Sequence, residues 1–192
     1  LALRAFIAID IPDGVRKAVH TKAVELRRRM ADDAVRWVRP EGYHLTLKFL
    51  GEIETAQVPL IEAAMGSAAD GIGRFSLRLG SLGVFPNQRR PRVLWVAVEG
   101  GADSLGRLQS RLEQALGPIG FKTEGRSFHP HLTLARIKRP LEPGALSTLQ
   151  SALQKENLAG TPAFGVDSVK LIRSELRPTG AIYTTLHITT LV

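Results

Sequence analysis

The sequence predicts an α+β fold built mainly of antiparallel sheet. Three observations carry that expectation. Strands and helices follow a mixed order, with hairpin-like strand pairs between helices instead of the strict strand–helix alternation of a parallel sheet. No linker is long or biased enough in composition to split the chain, so residues 1–192 are expected to form one domain. The tetrapeptide His-Leu-Thr-Leu occurs at 44–47 and again at 131–134, which suggests a duplicated strand and a pseudo-symmetric pair of lobes.

Arg4 to Ile9 is short, apolar and partly β-branched, and reads as a buried strand. Pro12 and Asp13 open a helix over about 14–30, with Val15, Ala18, Val19, Lys22, Ala23 and Leu26 at helical spacing and Arg27, Arg28 and Arg29 complementing the dipole in its last turn. Val35–Val38 and His44–Leu50 read as strands joined around Pro40-Glu41-Gly42, and Thr55 as the cap of a helix running to Ala69. Phe75, Leu77 and Leu79 alternate in a strand over 74–82. The next segment, 83–91, with Pro86, Asn87, Arg89, Arg90 and Pro91, reads as a loop. A strand over 93–98 comes next, then a helix over 104–116 closed by Gly117-Pro118. A strand over 130–137, a helix over 143–156 and strands over 164–173 and 181–191 complete the set.

Composition narrows the function. Lys and Arg number 26 against 18 Asp and Glu, a net +8 that favours an anionic partner such as nucleic acid or a phosphorylated small molecule. Absence of cysteine excludes disulfides, thiolate nucleophiles and cysteine-ligated zinc. No apolar run approaches the ~20 residues of a membrane span. The opening stretch, soon followed by Pro12, is too short for a signal peptide, so a cytoplasmic protein is expected.

Side chains alternate faces along a strand, so His44 and Thr46 point one way and Leu45 and Leu47 the other; the same holds for His131 and Thr133 against Leu132 and Leu134. Facing one another across a cleft, these strands would present two imidazoles and two hydroxyls. A neutral histidine can take a proton from water while an imidazolium gives one to a departing oxygen, and threonine hydroxyls can hydrogen-bond phosphate oxygens. That set suits phosphodiester chemistry with no metal and no cofactor. His187-Ile188-Thr189 has the same spacing but lies in a Thr-rich terminal strand and reads as structural. His129, two residues before His131, has no accompanying carboxylate cluster, so a metal pair is discounted; His20 has no evident partner.

These motifs, with Arg4-Ala5-Phe6-Ile7-Ala8-Ile9, Arg36-Trp37-Val38-Arg39-Pro40, Lys48-Phe49-Leu50-Gly51, Gly83-Val84-Phe85-Pro86, Pro91-Arg92-Val93-Leu94-Trp95, Phe128-His129-Pro130, Leu171-Ile172-Arg173-Ser174 and Gly180-Ala181-Ile182-Tyr183, carry a resemblance over nearly the whole chain. The sequence resembles the RNA 2′,3′-cyclic phosphodiesterases, or 2′-5′ RNA ligases, of the two-histidine phosphoesterase superfamily. The resemblance implies a bilobal fold with a cleft between two antiparallel sheets. It implies hydrolysis of 2′,3′-cyclic phosphate RNA ends to 2′-phosphates, with His44 as proton donor, His131 as proton acceptor, and Thr46 and Thr133 on the phosphate. Reversible 2′-5′ joining of RNA ends is a secondary activity of the same pattern. It implies RNA as the partner, with a monomer expected.

Arg136 matches a family arginine that helps hold the phosphate or nucleotide, but strict alternation puts it on the face opposite His131, so a bulge would be needed. By alternation Lys48 shares the His44 face. Phe49, Phe85 and Phe128 are read as core and not as base-stacking platforms. Arg89, Arg90 and Arg92 form a basic loop that could track an RNA backbone or simply be solvated. Two other readings stay open: a phosphodiesterase of small cyclic nucleotides, and a non-catalytic RNA-binding module.

Overall fold

The protein is described from a computed structural model, over residues 2–177 and 180–192. The first strand, β1 (Ala2–Asp10), is buried continuously from Ala5 to Ile9. It lies between two other strands, with Ala5, Ile7 and Ile9 in the main core and Phe6 and Ala8 buried against Ile172 and Tyr183 on the other face, which is why its sequence does not alternate. Helix α1 (Asp13–Met30) buries Val15, Val19, Ala23, Leu26 and Met30, one stripe at three- and four-residue spacing. It ends on Ala31, whose left-handed backbone returns an N–H to the Arg27 carbonyl.

Strand β2 (Val35–Trp37) leads through a 3-10 turn at Pro40–Gly42 into β3 (His44–Glu54). These two strands do not form the hairpin expected of them: β2 pairs with a later strand, β3 with β1. Glu54, not Thr55, is the N-cap after β3, in a capping box with Gln57 that starts a 3-10 turn and then α2 (Val58–Ala69). Strand β4 (Phe75–Phe85) runs three residues past the expected end, through Gly83, and makes a true hairpin with β5 (Val93–Glu99). Its cross-strand partner explains the extension: Gly83 opposes Trp95, whose ring occupies the space a Cβ would need. Helix α3 (Ala102–Leu116), β6 (His131–Ile137) and α4 (Pro143–Lys155) come next.

The segment expected as one strand over 164–173 is two. Strand β7 (Phe164–Val166) ends, Asp167 breaks the run, and β8 (Ser168–Arg177) starts in the other sheet. Strand β9 (Gly180–Thr190) pairs back on β8. The result is two antiparallel sheets, one in the order β3-β1-β8-β9 and the other β2-β6-β5-β4-β7. One apolar core joins them. It takes Leu45 and Leu47 from β3, Leu132 and Leu134 from β6, Val19 and Leu26 from α1, Leu108 and Leu112 from α3, and Leu149 from α4.

Candidate active site

The two His-Leu-Thr-Leu segments are the first residues of β3 and β6. In each, both leucines are buried and the histidine and threonine half-exposed, as alternation requires. Although β3 and β6 belong to different sheets, they approach one another directly.

Both strands then lose their alternation at the same place. The β1–β3 register steps from Ala8 opposite Thr46 to Ile7 opposite Lys48, leaving Leu47 unmatched. The β5–β6 register steps from Trp95 opposite Thr133 to Leu94 opposite Ala135, leaving Leu134 unmatched. Each unmatched leucine is a β-bulge that reverses the phase of the residues after it. Arg136 is thereby delivered to the Thr133 face, and the bulge its sequence position demanded is present. Lys48, contrary to the alternation reading, turns inward: it is only 6% exposed. Its Nζ meets Glu113 Oε2 of α3 at 2.7 Å and the Lys122 carbonyl at 2.5 Å. The next residue, Phe49, turns outward.

A cleft of about 1460 Å³ opens between the sheets, lined among others by His44, Thr46, Thr133 and Arg136. His131 stands on the Thr133 face of β6 but does not itself line that space. Its ring packs edge-on to Phe85 at 5.2 Å and tilted against Trp95 at 6.0 Å. Phe85, expected in the core, is instead half-buried against Trp95, His129 and His131. Phe128 packs against the core as expected. Arg89, Arg90 and Arg92 lie outside the cleft lining. Asn87 Oδ1 accepts the N–H groups of Arg89 and Arg90, and Arg92 donates to the Lys138 carbonyl.

The two imidazoles differ electrically. Burial pushes His44 below the ordinary histidine value, and the charges of Arg16 and Lys170 add to that. Opposing them are the Asp10 carboxylate and a hydrogen bond to the Gly42 carbonyl. Asp10 is the direct cross-strand partner of His44. Burial pushes the Asp10 carboxyl up, but Lys170 Nζ at 2.8 Å and Arg16 Nη2 at 3.2 Å outweigh it and hold the group below the usual 3.8. His131 is also lowered, first by burial and further by the charges of His129 and Arg136. Its Nδ1 lies 2.6 Å from the His129 carbonyl. A carbonyl can only accept, so Nδ1 carries the hydrogen and Nε2 of the neutral ring keeps its lone pair.

Asp10, Phe6 and Tyr183 have no role in the sequence reading, and Phe49, read there as core, is 64% exposed. Tyr183 packs edge-on to His44 at 4.9 Å and to Phe6 at 5.8 Å. Burial raises its hydroxyl pKa against the charges of Arg136 and Arg4. Asp10 had one available signal, as the first charge after the apolar run of β1. Tyr183 enters only within a segment that carries the resemblance, with no role, because only the β8–β9 hairpin brings it beside His44. Among the described residues no group of three or more His, Cys, Asp or Glu gathers to hold a metal ion. His187 faces Glu62 of α2, with Nδ1–Oε1 at 3.7 Å, away from the cleft, and His20 is exposed on α1.

Two sheets, each presenting one His-x-Thr strand, form the architecture of a two-histidine phosphoesterase. The comparisons agree. The family model for LigT-like phosphoesterases matches residues 9–95 and again 96–183, one match per half. The chain belongs to that family. It is 35% identical over 188 residues to the RNA 2′,3′-cyclic phosphodiesterase of Methanothermobacter thermautotrophicus, covering 98% of each chain. It is 38% identical over 150 residues to the one from Aeropyrum pernix, covering 78% of this chain and 82% of that one. Among solved structures, a Thermus thermophilus protein superposes with a TM-score of 0.81 at 29% identity, over 98% of each chain. Escherichia coli LigT complexed with 3′-AMP superposes at 0.79 and 24% identity, over 100% of this chain and 99% of that one, a likeness of fold.

Proposed function

We propose that the protein hydrolyses 2′,3′-cyclic phosphate ends of RNA to 2′-phosphates. The observation that carries the reading is the convergence of His44, Thr46, Thr133 and Arg136 on one cleft, with His131 on the same face of β6. The names of the relatives point the same way.

The Asp10 carboxylate beside His44 supports a division of roles. His131 is the base: Nε2 takes a proton from water as its oxygen attacks phosphorus. His44 is the acid: the neighbouring Asp10 carboxylate favours the imidazolium, which gives its proton to O3′ as the P–O3′ bond breaks. The product keeps the phosphate on O2′, and the proton taken at His131 balances the one lost at His44. Thr46, Thr133 and Arg136 hydrogen-bond the non-bridging oxygens as charge grows there. A ribose 5′-hydroxyl in place of water would give a 2′-5′ linkage by the same steps. All these groups come from one chain, which supports a monomer as the working unit, and an RNA substrate supports a cytoplasmic setting. Among the described residues no helix is long and apolar enough to cross a membrane.

The test is an oligoribonucleotide ending in a 2′,3′-cyclic phosphate, incubated in excess chelator, with the product phosphate located by phosphatase treatment and mass spectrometry. A 2′-phosphate is expected. His44→Ala and His131→Ala each lower turnover by roughly 10²–10⁴-fold. Absence of turnover, a 3′-phosphate product, or loss of activity in chelator overturns the mechanism.

A further inference from the structure

Arg36 and Arg136 stand directly opposite one another on β2 and β6. Cross-strand partners share a face of the sheet, and their Cα atoms lie roughly 4.5–5.5 Å apart. Both arginines are exposed, and both line the cleft. Like charges set face to face in a ladder destabilise it. No carboxylate relieves this pair: among the described residues neither guanidinium forms an ion pair or a hydrogen bond with one. Asp10 and Asp13, which line the same cleft, are both held by Arg16, and Asp10 also by Lys170. A local conflict of this kind is expected where a ligand resolves it.

The strand order gives the pair a direction. Strand β6 carries His131, Thr133 and Arg136, and β2 is the edge strand beside it. The cleft wall therefore runs from Thr133 and Arg136 outward to Arg36. The chemistry above uses Arg136 on the non-bridging oxygens of the reacting phosphate and gives Arg36 no part. A second anion, tied to the first closely enough for adjacent cations to hold both, is the next phosphate of the same strand. An acidic protein segment would also bring negative charge, but nothing would set its position relative to the reacting phosphate.

We propose that Arg36 binds the phosphodiester on the 5′ side of the terminal nucleoside, so that the cleft selects the end of a polynucleotide over a free cyclic mononucleotide. This deepens the reading above and rests on it. The guanidinium offers paired N–H donors to the two non-bridging oxygens of that linkage. The linkage does not react, so the contact is equally strong in the ground state and the transition state. Its loss raises KM and leaves kcat in place.

The test compares two oligoribonucleotides that end in a 2′,3′-cyclic phosphate. The last linkage is a phosphodiester in one and an uncharged methylphosphonate in the other, with the penultimate ribose 2′-O-methylated in both. Arg36→Ala is expected to raise KM for the phosphodiester by about 5- to 20-fold at low salt, with kcat little changed. KM for the methylphosphonate stays as in the parent. The salt dependence of log KM for the phosphodiester loses a slope of about 0.7, the share of one contact to a single strand. Arg36→Lys keeps the charge and recovers part of the low KM. Removing one of two like charges leaves Tm of Arg36→Ala at or above that of the parent. An unchanged KM for the phosphodiester overturns the subsite while leaving the phosphodiesterase intact. An equal rise for both substrates overturns it too, in favour of a role in placing Arg136 or in folding, which a lowered Tm would identify. If the parent turns over neither oligonucleotide, the phosphodiesterase reading fails. The subsite is then judged on binding of the phosphodiester oligonucleotide with a 2′-phosphate end, where equal affinity of the parent and Arg36→Ala overturns it.

Discussion

At the scale of single residues the site is decided by its neighbours. His44 and His131 sit in identical tetrapeptides and each bonds the carbonyl two residues before it, so what separates them is the Asp10 carboxylate beside His44. Both imidazoles titrate below 6.5 in the fold. The acid limb of kcat/KM, set by protonation of His131, therefore lies below pH 6.5. The basic limb reports loss of the His44 proton. Asp10→Asn removes a group that favours imidazolium, so that limb moves to lower pH while the acid limb stays in place. A pH profile that falls uniformly without moving its basic limb would make Asp10 merely structural. The same lowered values bear on stability. The folded state binds fewer protons than the unfolded chain near pH 6, so the two histidines' contribution is complete above 6.5 and is lost as pH falls through their folded values. The histidines and threonines were legible in the sequence because the motif is duplicated. Asp10 was not, because cross-strand pairing between residues 10 and 44 is set by tertiary register.

At the scale of elements, the two bulges govern which side chains reach the cleft. Alternation correctly placed His44, Thr46, His131 and Thr133, and it failed one residue later in both strands. Periodicity of two holds only while the ladder is continuous, and nothing in the composition of Leu47 or Leu134 marks an unmatched residue. The bulge that Arg136 required to reach the cleft face is present, whereas Lys48 and Phe49 lie on the faces opposite to those expected. Turned inward, Lys48 makes a buried network: Glu113 also accepts from the Glu124 N–H at 3.1 Å and from Gln109 Nε2 at 3.2 Å. This ties β3 to the segment that leads into β6. Removing one partner leaves a charge buried alone, so Lys48→Ala should cost about 3–5 kcal/mol, measured by denaturant unfolding. The double variant Lys48→Met, Glu113→Leu fills the same volume without charge and should recover most of that loss. A Lys48→Ala variant as stable as its parent would mean that the pair contributes nothing net. Hairpin logic misread the β2–β3 connection and the break at Asp167, since a sequence does not say which sheet a strand joins.

At the scale of the whole molecule, the α+β class and the antiparallel sheets were legible from element order and the repeat. The strand order was not, because the sheets are assembled from segments far apart in the chain. One continuous core joins the two sheets. Unfolding is therefore expected to be a single transition, with tryptophan fluorescence and far-ultraviolet circular dichroism coincident. Trp37 and Trp95 both belong to the second sheet, so separate unfolding of the lobes would appear as two displaced curves. Of the cations behind the net +8 charge, Arg4, Arg36, Arg39 and Arg136 line the cleft, whereas Arg89, Arg90 and Arg92 lie outside its lining.

The switch of sheets at Asp167 has a consequence for how the protein comes into being. The last two strands return beside the first, and they bring Lys170 to Asp10 and Tyr183 to His44. A nascent chain that has already emerged past residue 137 holds both tetrapeptides and yet lacks the partners that set their chemistry. The neighbours of the two histidines are complete only once β8 and β9 are made, so a chain cut at residue 137 carries both His-x-Thr motifs but lacks Lys170 beside Asp10 and Tyr183 beside His44.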